Sequence, residues 1–214
     1  MLELGVKMLA AYLVGTLLGS LILGRWRGVD IRSMGSGNAG ATNALRTQGK
    51  AFAFAVLLLD IVKGVVAVTW LPRLIVPGIG IDPGITREWL TLACGFAVII
   101  GHVYPVWFGF RGGKGVATVV GVVGALQPWL LLPLLASWLL VVVVTGYVGL
   151  ASMLAGLALI VAVGWHDPGD LPLLYFCIAV TAFVIFTHRV NIARMAAGTE
   201  SRARRLWLFR PRAA

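Results

Sequence analysis

The chain has 214 residues, of which 59% are hydrophobic and only 12% are charged, and its mean hydropathy is +0.93. This composition excludes a disordered chain, a coiled coil and an ordinary soluble enzyme. A bilayer-spanning helix needs about 20 apolar residues, so the length suits seven spans and leaves no room for a second large domain. We therefore expect one all-α membrane domain over residues 1–200, followed by a basic tail over 201–214.

Seven apolar runs are the predicted transmembrane helices, at 8–24, 52–71, 89–108, 116–127, 129–145, 148–165 and 171–187. Gly15 and Gly19 in the first run have the spacing at which helices pack closely. The fourth run is short, and Pro128 and Pro133 interrupt the region that follows it. The region 115–147 forms either two short crossings or a re-entrant pair. The count is therefore seven or five, and seven is preferred.

The net charge of +10 comes mainly from basic residues that lie between the apolar runs. In the seven-span arrangement, fourteen of the 18 lysines and arginines fall on one side: Arg25, Arg27, Arg32, Arg46, Lys50, Arg111, Lys114, Arg189, Arg194, Arg202, Arg204, Arg205, Arg210 and Arg212. The positive-inside rule then places the N-terminus outside and the C-terminus inside. We interpret the charge as a topology signal, not as nucleic-acid binding. The tail is either solvated or lies on an anionic lipid surface.

The first of three polar patches on the predicted inner side covers residues 33–46 and contains a GxGxxG pattern. It follows a membrane span instead of a β-strand, which excludes a dinucleotide-binding fold. Glycines allow several backbone amides to point at one anion, and the neighbouring side chains add donors. These side chains belong to Ser36, Asn38, Thr42, Asn43 and Arg46. The alternative is a flexible loop with helix-capping residues.

The second patch covers residues 101–118 and contains Gly112, Gly113 and Lys114 before an apolar run. It is not a P-loop, because Phe108 and Gly115 stand where that motif needs glycine and Ser or Thr. A glycine loop with a lysine at a helix start still predicts a phosphate site. His102 is either a base or a buried polar anchor.

The third patch covers residues 188–194, where His188 and Asn191 share one helical face and are predicted to be functional. Asp60 and Lys63 lie inside the second span, as either a self-neutralising ion pair or part of a polar cavity. Ser152 lies near the turn between the fifth and sixth spans. The patches contain no carboxylate pair, Ser-His-Asp set or Cys/His cluster, so we expect phosphate binding without a metal. Cys94 and Cys177 are interpreted as packing residues.

In this order the patches resemble the bacterial acyl-phosphate:glycerol-3-phosphate acyltransferase family. The matching stretches are GSGNAGATNALRTQG at 35–49, LLLDIVKG at 57–64, GHVYPVWFGFRGGKGVAT at 101–118, YVGLAS at 147–152 and HRVNIARMAAGTE at 188–200. The resemblance implies a multi-pass enzyme of the bacterial inner membrane whose active site faces the cytoplasm. It would move an acyl chain from acyl phosphate to the 1-hydroxyl of glycerol 3-phosphate, giving lysophosphatidic acid and inorganic phosphate. Neither acyl-CoA nor acyl carrier protein would be the donor, and no cofactor is expected.

Matching by position, the resemblance implies catalytic roles for His188, Lys114, Arg46 and Ser36. The predicted substrate-binding residues are Gly37, Asn38, Thr42, Asn43, His102, Gly112, Gly113, Ser152 and Asn191. The hydroxyl proton would go to His188, to His102 or to the donor phosphate, and the substrate-assisted version is favoured. The expected partners are the two substrates, membrane lipid and a soluble enzyme that makes acyl phosphate. The rival classes are a transporter of a phosphorylated solute and a non-catalytic lipid-binding scaffold.

Overall fold

The computed structural model describes residues 1–204 and 206–209, and the regular elements in that part of the chain are all helical. It divides into two compact units, Met1–Leu126 and Gln127–Ala214, each with its own set of helices. An all-helical backbone satisfies its own hydrogen bonds, which is what a chain this apolar needs in lipid. The all-α prediction is therefore confirmed for the described residues.

Six α-helices form the first unit: α1 (Leu2–Gly15), α2 (Gly19–Trp26), α3 (Ala41–Gln48), α4 (Lys50–Thr69), α5 (Arg87–Val103) and α6 (Val116–Leu126). Its main packing pairs are α1 with α5 and α4 with α6. Polar connections follow α2 and α5, so the first and second predicted patches both lie in this unit.

Glycines let these helices approach closely. A Cβ at Gly15 would meet the Val98 carbonyl of α5, and a Cβ at Gly121 would meet the Ile61 carbonyl of α4, each at under 3.0 Å. Gly19 lies against Leu59, where a Cβ would be 3.0 Å from the leucine Cβ. The prediction that Gly15 and Gly19 serve helix packing is confirmed, because a larger side chain at these positions would push the helices apart.

The first predicted span is one bent pair of helices and not a continuous helix. The chain turns by 43° between α1 and α2. Such a break leaves backbone carbonyls without helical partners, which is costly in an apolar surrounding. The Lys63 ammonium donates to the carbonyls of Gly15, at 2.9 Å, and Leu17, at 3.2 Å.

Four α-helices form the second unit: α7 (Leu131–Thr145), α8 (Val148–His166), α9 (Leu171–Thr187) and α10 (Arg189–Ala196). Helix α8 packs against both α7 and α9. Asp170 begins α9 by accepting a hydrogen bond from the Leu173 amide at 2.9 Å. Gly146 ends α7 with φ +78°, a left-handed conformation that glycine adopts without strain.

Within the described residues, four helices are long and apolar enough to cross a membrane: Lys50–Arg73, Arg87–Phe108, Pro128–Thr145 and Val148–His166. The number rises to six if α1 with α2, and α9 with α10, each count as one bent span. Helix α6 is apolar but has only 11 residues. The count of seven and the orientation of the termini therefore stay predictions.

The described part of the tail packs against the end of α7. The Ala203 amide donates to the Gly146 carbonyl at 2.7 Å, and the indole of Trp207 donates to the Val144 carbonyl at 3.1 Å. The Arg202 guanidinium lies 4.5 Å from the Tyr147 ring centre and 4.1 Å from that of Trp207. Arg205, Arg210 and Arg212, also predicted to belong to the basic tail, lie outside the described residues.

Candidate active site

The first loop (residues 31–40) is organised by one buried side chain, that of Asn43 in α3. Its amide nitrogen donates to the carbonyls of Ile31 at 2.9 Å, Met34 at 3.0 Å and Asn38 at 3.0 Å. Its amide oxygen accepts from the Ser36 backbone at 2.9 Å. Because these bonds use both ends of the side-chain amide, Asn43 shapes the loop from within.

The remaining predicted residues of this patch are more accessible. Gly35 and Gly37 have φ +56° and +75°, so the turn between Met34 and Asn38 requires glycine at both positions. Ser36 and Asn38 are half-buried, whereas Thr42 and Arg46 are exposed. The first loop therefore has a backbone held by Asn43, and the loop and α3 together carry polar and cationic side chains that solutes can reach.

The second loop (residues 104–115) folds back onto the end of α5. The amides of Gly112 and Gly113 donate to the carbonyls of Val103, at 3.0 Å, and His102, at 3.2 Å. The chain takes left-handed conformations at Gly109, Phe110 and Gly115, with φ +65°, +57° and +84°. A Cβ at Gly112 would meet the His102 carbonyl at under 3.0 Å, so this fold-back excludes larger residues.

Lys114 is half-buried and comes two residues before the first turn of α6. The backbone amides of that turn point out of the N-terminal end of the helix, which carries the positive partial charge of the helix dipole. A lysine and a helix N-terminus together favour an anionic group such as phosphate. This is the geometry that the Gly-Gly-Lys-Gly sequence predicted.

His102 is buried and lies between the second loop and the charged pair of α4. Its Nδ1 is 3.5 Å from Asp60 Oδ1, and that carboxylate oxygen is 2.9 Å from the Lys63 ammonium. On the other side, a Cβ at Gly113 would lie under 3.0 Å from His102 Nε2. Of the two alternatives for His102, this burial favours the polar anchor. Of the two for Asp60 and Lys63, the structure supports the ion pair.

The first and second loops are joined by Arg32. Its Nη1 donates to the carbonyls of Phe108, at 2.9 Å, and Arg111, at 3.1 Å. Its Nε and Nη2 bind the Asp30 carboxylate, at 3.0 Å and 2.7 Å. These bonds hold the pKa of Asp30 below its ordinary value and raise that of Arg32, so both groups stay charged at neutral pH.

In the second unit, His188 is buried at the junction of α9 and α10. Its Nδ1 lies 2.8 Å from the Val184 carbonyl. A carbonyl oxygen only accepts, so Nδ1 carries a proton in this contact, and in the neutral form of the ring the lone pair is on Nε2. Such a tautomer suits a side chain that binds or deprotonates a hydroxyl.

Asn191 and Ser152 are both held by neighbours within the second unit. The Asn191 amide donates to Glu200 Oε1 at 2.6 Å, and Gly149 makes room for it, since a Cβ there would be 3.1 Å from the Asn191 Cβ. The Ser152 hydroxyl donates to the Val148 carbonyl at 2.9 Å and accepts from the Trp138 indole at 3.4 Å.

Sequence reasoning missed the contacts of Asp30 and Arg32 at the first and second loops, and that of Glu200 in the second unit. Arg32 and Asp30 carried a usable signal, because an acid and an arginine two residues apart stand where the first loop begins. Glu200 lies at the end of the last matching stretch, 188–200, but only the folded chain shows that it binds Asn191. Within the described residues, no three His, Cys, Asp or Glu side chains form a group that could hold a metal ion.

Comparison with known proteins gives a consistent result. Residues 6–198 match the family described as glycerol-3-phosphate acyltransferase. The chain is 41% identical to the glycerol-3-phosphate acyltransferase of a Synechococcus species, over 99% of this chain and all of that protein. It is 40% identical to that of Aquifex aeolicus, over 90% of this chain and 95% of the relative.

The chain also resembles a solved structure. The crystal structure of PlsY (YgiH), an integral membrane glycerol 3-phosphate acyltransferase, in its glycerol 3-phosphate form has a TM-score of 0.80 at 34% identity. The alignment covers 93% of this chain and 94% of that one. The lysophosphatidic acid form of the same protein has a TM-score of 0.77.

Proposed function

Because this chain belongs to the glycerol-3-phosphate acyltransferase family, we propose that it transfers an acyl group from acyl phosphate to the 1-hydroxyl of glycerol 3-phosphate. Membership makes it an integral membrane acyltransferase of phospholipid biosynthesis. The proposal adds the donor, the products lysophosphatidic acid and inorganic phosphate, and the exclusion of acyl-CoA and acyl carrier protein. The supporting observation is the pair of glycine loops in the first unit, where Arg46 follows the first loop in α3 and Lys114 lies on the second.

The chemistry requires little beyond binding and charge stabilisation. The 1-hydroxyl oxygen attacks the acyl carbonyl carbon, the bond from that carbon to the phosphate oxygen breaks, and phosphate leaves with the electron pair. Acyl phosphate is an activated anhydride, so neither a covalent enzyme nucleophile nor a cofactor or metal is needed. The protein holds two anionic groups together and stabilises the charge that develops on the carbonyl oxygen.

We assign the phosphate-binding roles in the first unit to its two loops. Lys114 and the N-terminal turn of α6 bind one phosphate, while Gly112 and Gly113 hold this loop against the end of α5 through their amides. Arg46 and Thr42 of α3, with Ser36 and Asn38 on the loop that Asn43 and Gly37 shape, contribute the remaining cationic and hydrogen-bonding groups. His102 supports Gly113 from behind instead of touching substrate.

In the second unit we assign substrate contacts to His188, Asn191 and Ser152. The hydroxyl proton goes to the leaving phosphate, and the Nε2 lone pair of His188 orients the hydroxyl. We expect His188→Ala to weaken the binding geometry and to leave measurable turnover. Complete loss of turnover with unchanged glycerol 3-phosphate binding would make His188 the general base instead.

The test of the reaction uses purified protein, palmitoyl phosphate and glycerol 3-phosphate, without metal or coenzyme A. We expect equal amounts of phosphate and lysophosphatidic acid, and no product when palmitoyl-CoA replaces palmitoyl phosphate. Lys114→Ala should abolish turnover, whereas the control Lys50→Ala, which removes the same charge from an exposed position at the start of α4, should not. Turnover with palmitoyl-CoA would overturn the proposed donor.

The proposed topology has seven spans in the bacterial inner membrane, with the N-terminus outside, the C-terminus inside and the active site facing the cytoplasm. A soluble enzyme that makes acyl phosphate is the proposed partner. The native cysteines are buried, so cysteines introduced at Gly169 and Ser201 can be labelled selectively. We expect a membrane-impermeant maleimide to label Gly169→Cys in intact cells and Ser201→Cys only after permeabilisation. The opposite pattern would reverse the orientation.

A further inference from the structure

The Arg32 side chain is used entirely for contacts between protein groups. Two of its nitrogens bind the Asp30 carboxylate, and the third donates to the carbonyls of Phe108 and Arg111. The adjacent carboxylate neutralises the guanidinium charge. Unlike Arg46, which is exposed, Arg32 is therefore poorly suited to bind a substrate phosphate.

The two carbonyls that Arg32 binds lie on either side of a left-handed turn in the second loop. Between them are Gly109 and Phe110, with φ +65° and +57°. Phe110 is a non-glycine residue in the left-handed region, a conformation that persists only where its surroundings hold it. The Phe110 amide donates to the Pro105 carbonyl at 2.9 Å. Arg32 holds the same turn through the carbonyls of Phe108 and Arg111.

Arg32 belongs to the first loop and is held there by Asp30. The Asp30 carboxylate accepts from the Arg32 amide at 2.9 Å, and the Ser33 hydroxyl donates to the Asp30 carbonyl at 2.7 Å. The Ile31 carbonyl accepts from Asn43. A continuous set of hydrogen bonds therefore runs from Asn43, through residues 30–32, to the loop that carries Lys114.

We infer that Arg32 is a positioning residue, which holds the second loop against the first so that Lys114 and the Ser36 loop bind phosphate as one preformed site. The inference rests on the proposed function, since it deepens the role of the same two loops. Asp30 acts through Arg32 by orienting the guanidinium. Arginine is required because a lysine ammonium cannot bind the carboxylate with two parallel donors and still reach both carbonyls.

The test compares Arg32→Ala, Arg32→Lys and Asp30→Asn with Arg25→Ala, a control that removes the same charge from an exposed position in the last turn of α2. Arg32→Ala should raise the KM for glycerol 3-phosphate about tenfold, as expected for the loss of hydrogen bonds to a charged group, with a smaller change in kcat. Arg32→Lys should recover little of this loss. The double variant Asp30→Asn/Arg32→Ala should be no worse than Arg32→Ala, because the two residues act in series.

Hydrogen exchange separates this inference from the proposed reaction. In Arg32→Ala, the amides of residues 106–115 should exchange faster, whereas those of α7 and α8 should not change. If these amides exchange faster and the protein does not use acyl phosphate, the positioning role of Arg32 is supported and only the proposed acyl donor is overturned. If exchange and KM both match those of Arg25→Ala, the inference is wrong. If Arg32→Ala does not fold, Arg32→Lys decides the question by the same two measurements.

Discussion

Two lysines of the first unit, Lys7 in α1 and Lys63 in α4, are buried, and similar contacts stabilise the charge of each. Lys7 lies 2.8 Å from Glu3, one helical turn away, and donates to the Pro72 carbonyl at 2.8 Å. Lys63 lies 2.9 Å from Asp60 and donates to the carbonyls of the break between α1 and α2. In each case a carboxylate balances the charge, and the other protons of the ammonium satisfy a carbonyl at an irregular stretch of backbone.

The two clusters differ in what surrounds them. The Glu3 carboxylate also binds the guanidinium of Arg87, whose side chain is 48% exposed, and the backbone amide of Asp82 at 2.9 Å. Asp60 instead faces His102, whose side chain is only 3% exposed and which supports Gly113 of the second loop. The first cluster therefore stabilises a surface connection, while the second couples a helix break to a candidate phosphate loop. Substitutions in the cluster of Asp60, Lys63 and His102 should therefore affect both folding and catalysis.

The largest effect is expected for Lys63→Met. It leaves the Asp60 carboxylate buried without its cation and two carbonyls without a donor, which costs about 3–5 kcal/mol of unfolding free energy. Folded yield after detergent extraction and the midpoint of thermal unfolding measure this loss. The double variant Asp60→Asn/Lys63→Met should recover part of it, because no net charge remains buried. A single variant as stable as the wild type would show that the pair contributes little.

A smaller loss of stability, but a clear kinetic effect, is expected for His102→Ala. The substitution opens space behind Gly113, so the loop that carries Lys114 loses its support. We expect kcat/KM for acyl transfer to fall about tenfold, a change worth about 1.4 kcal/mol. Unchanged kinetics with a lower unfolding midpoint would limit His102 to a packing role.

The matched variant in the other cluster, Lys7→Met, should lower the unfolding midpoint and leave the kinetic constants unchanged. The loss should be smaller than for Lys63→Met, because the Glu3 carboxylate keeps Arg87 and the Asp82 amide as partners. A change in the KM of either substrate would contradict the separation of the two clusters.

The smallest effect is expected for Arg87→Gln. Its side chain is half exposed, and ion pairs in contact with solvent contribute little to stability. The unfolding midpoint should stay close to that of the wild type, at both low and high salt. A salt-dependent loss as large as that of Lys7→Met would show that the Glu3 cluster depends on Arg87.

Hydropathy predicted the bounds of several long helices well. It misplaced the start of the first helix, where two oppositely charged side chains are paired. The run 171–187 coincides with α9, and 148–165 differs from α8 by one residue. The first run was placed at 8–24, whereas α1 already begins at Leu2, since Glu3 and Lys7 neutralise each other inside the helix. Its break at residues 16–18 was also missed, because Lys63 satisfies the carbonyls there from another helix.

The sequence by itself determined the helical class, the order of the polar motifs and, through them, the family. Only the tertiary structure decided what Asn43, Arg32 and Lys63 do, since each donates to backbone carbonyls that lie 12, 76 and 48 residues away in the chain. Every residue has a carbonyl, so no pattern of residue types marks the ones that lack a helical partner. The packing of the helices decides where they break and which loops contact the breaks. Packing therefore also decides which carbonyls these side chains bind.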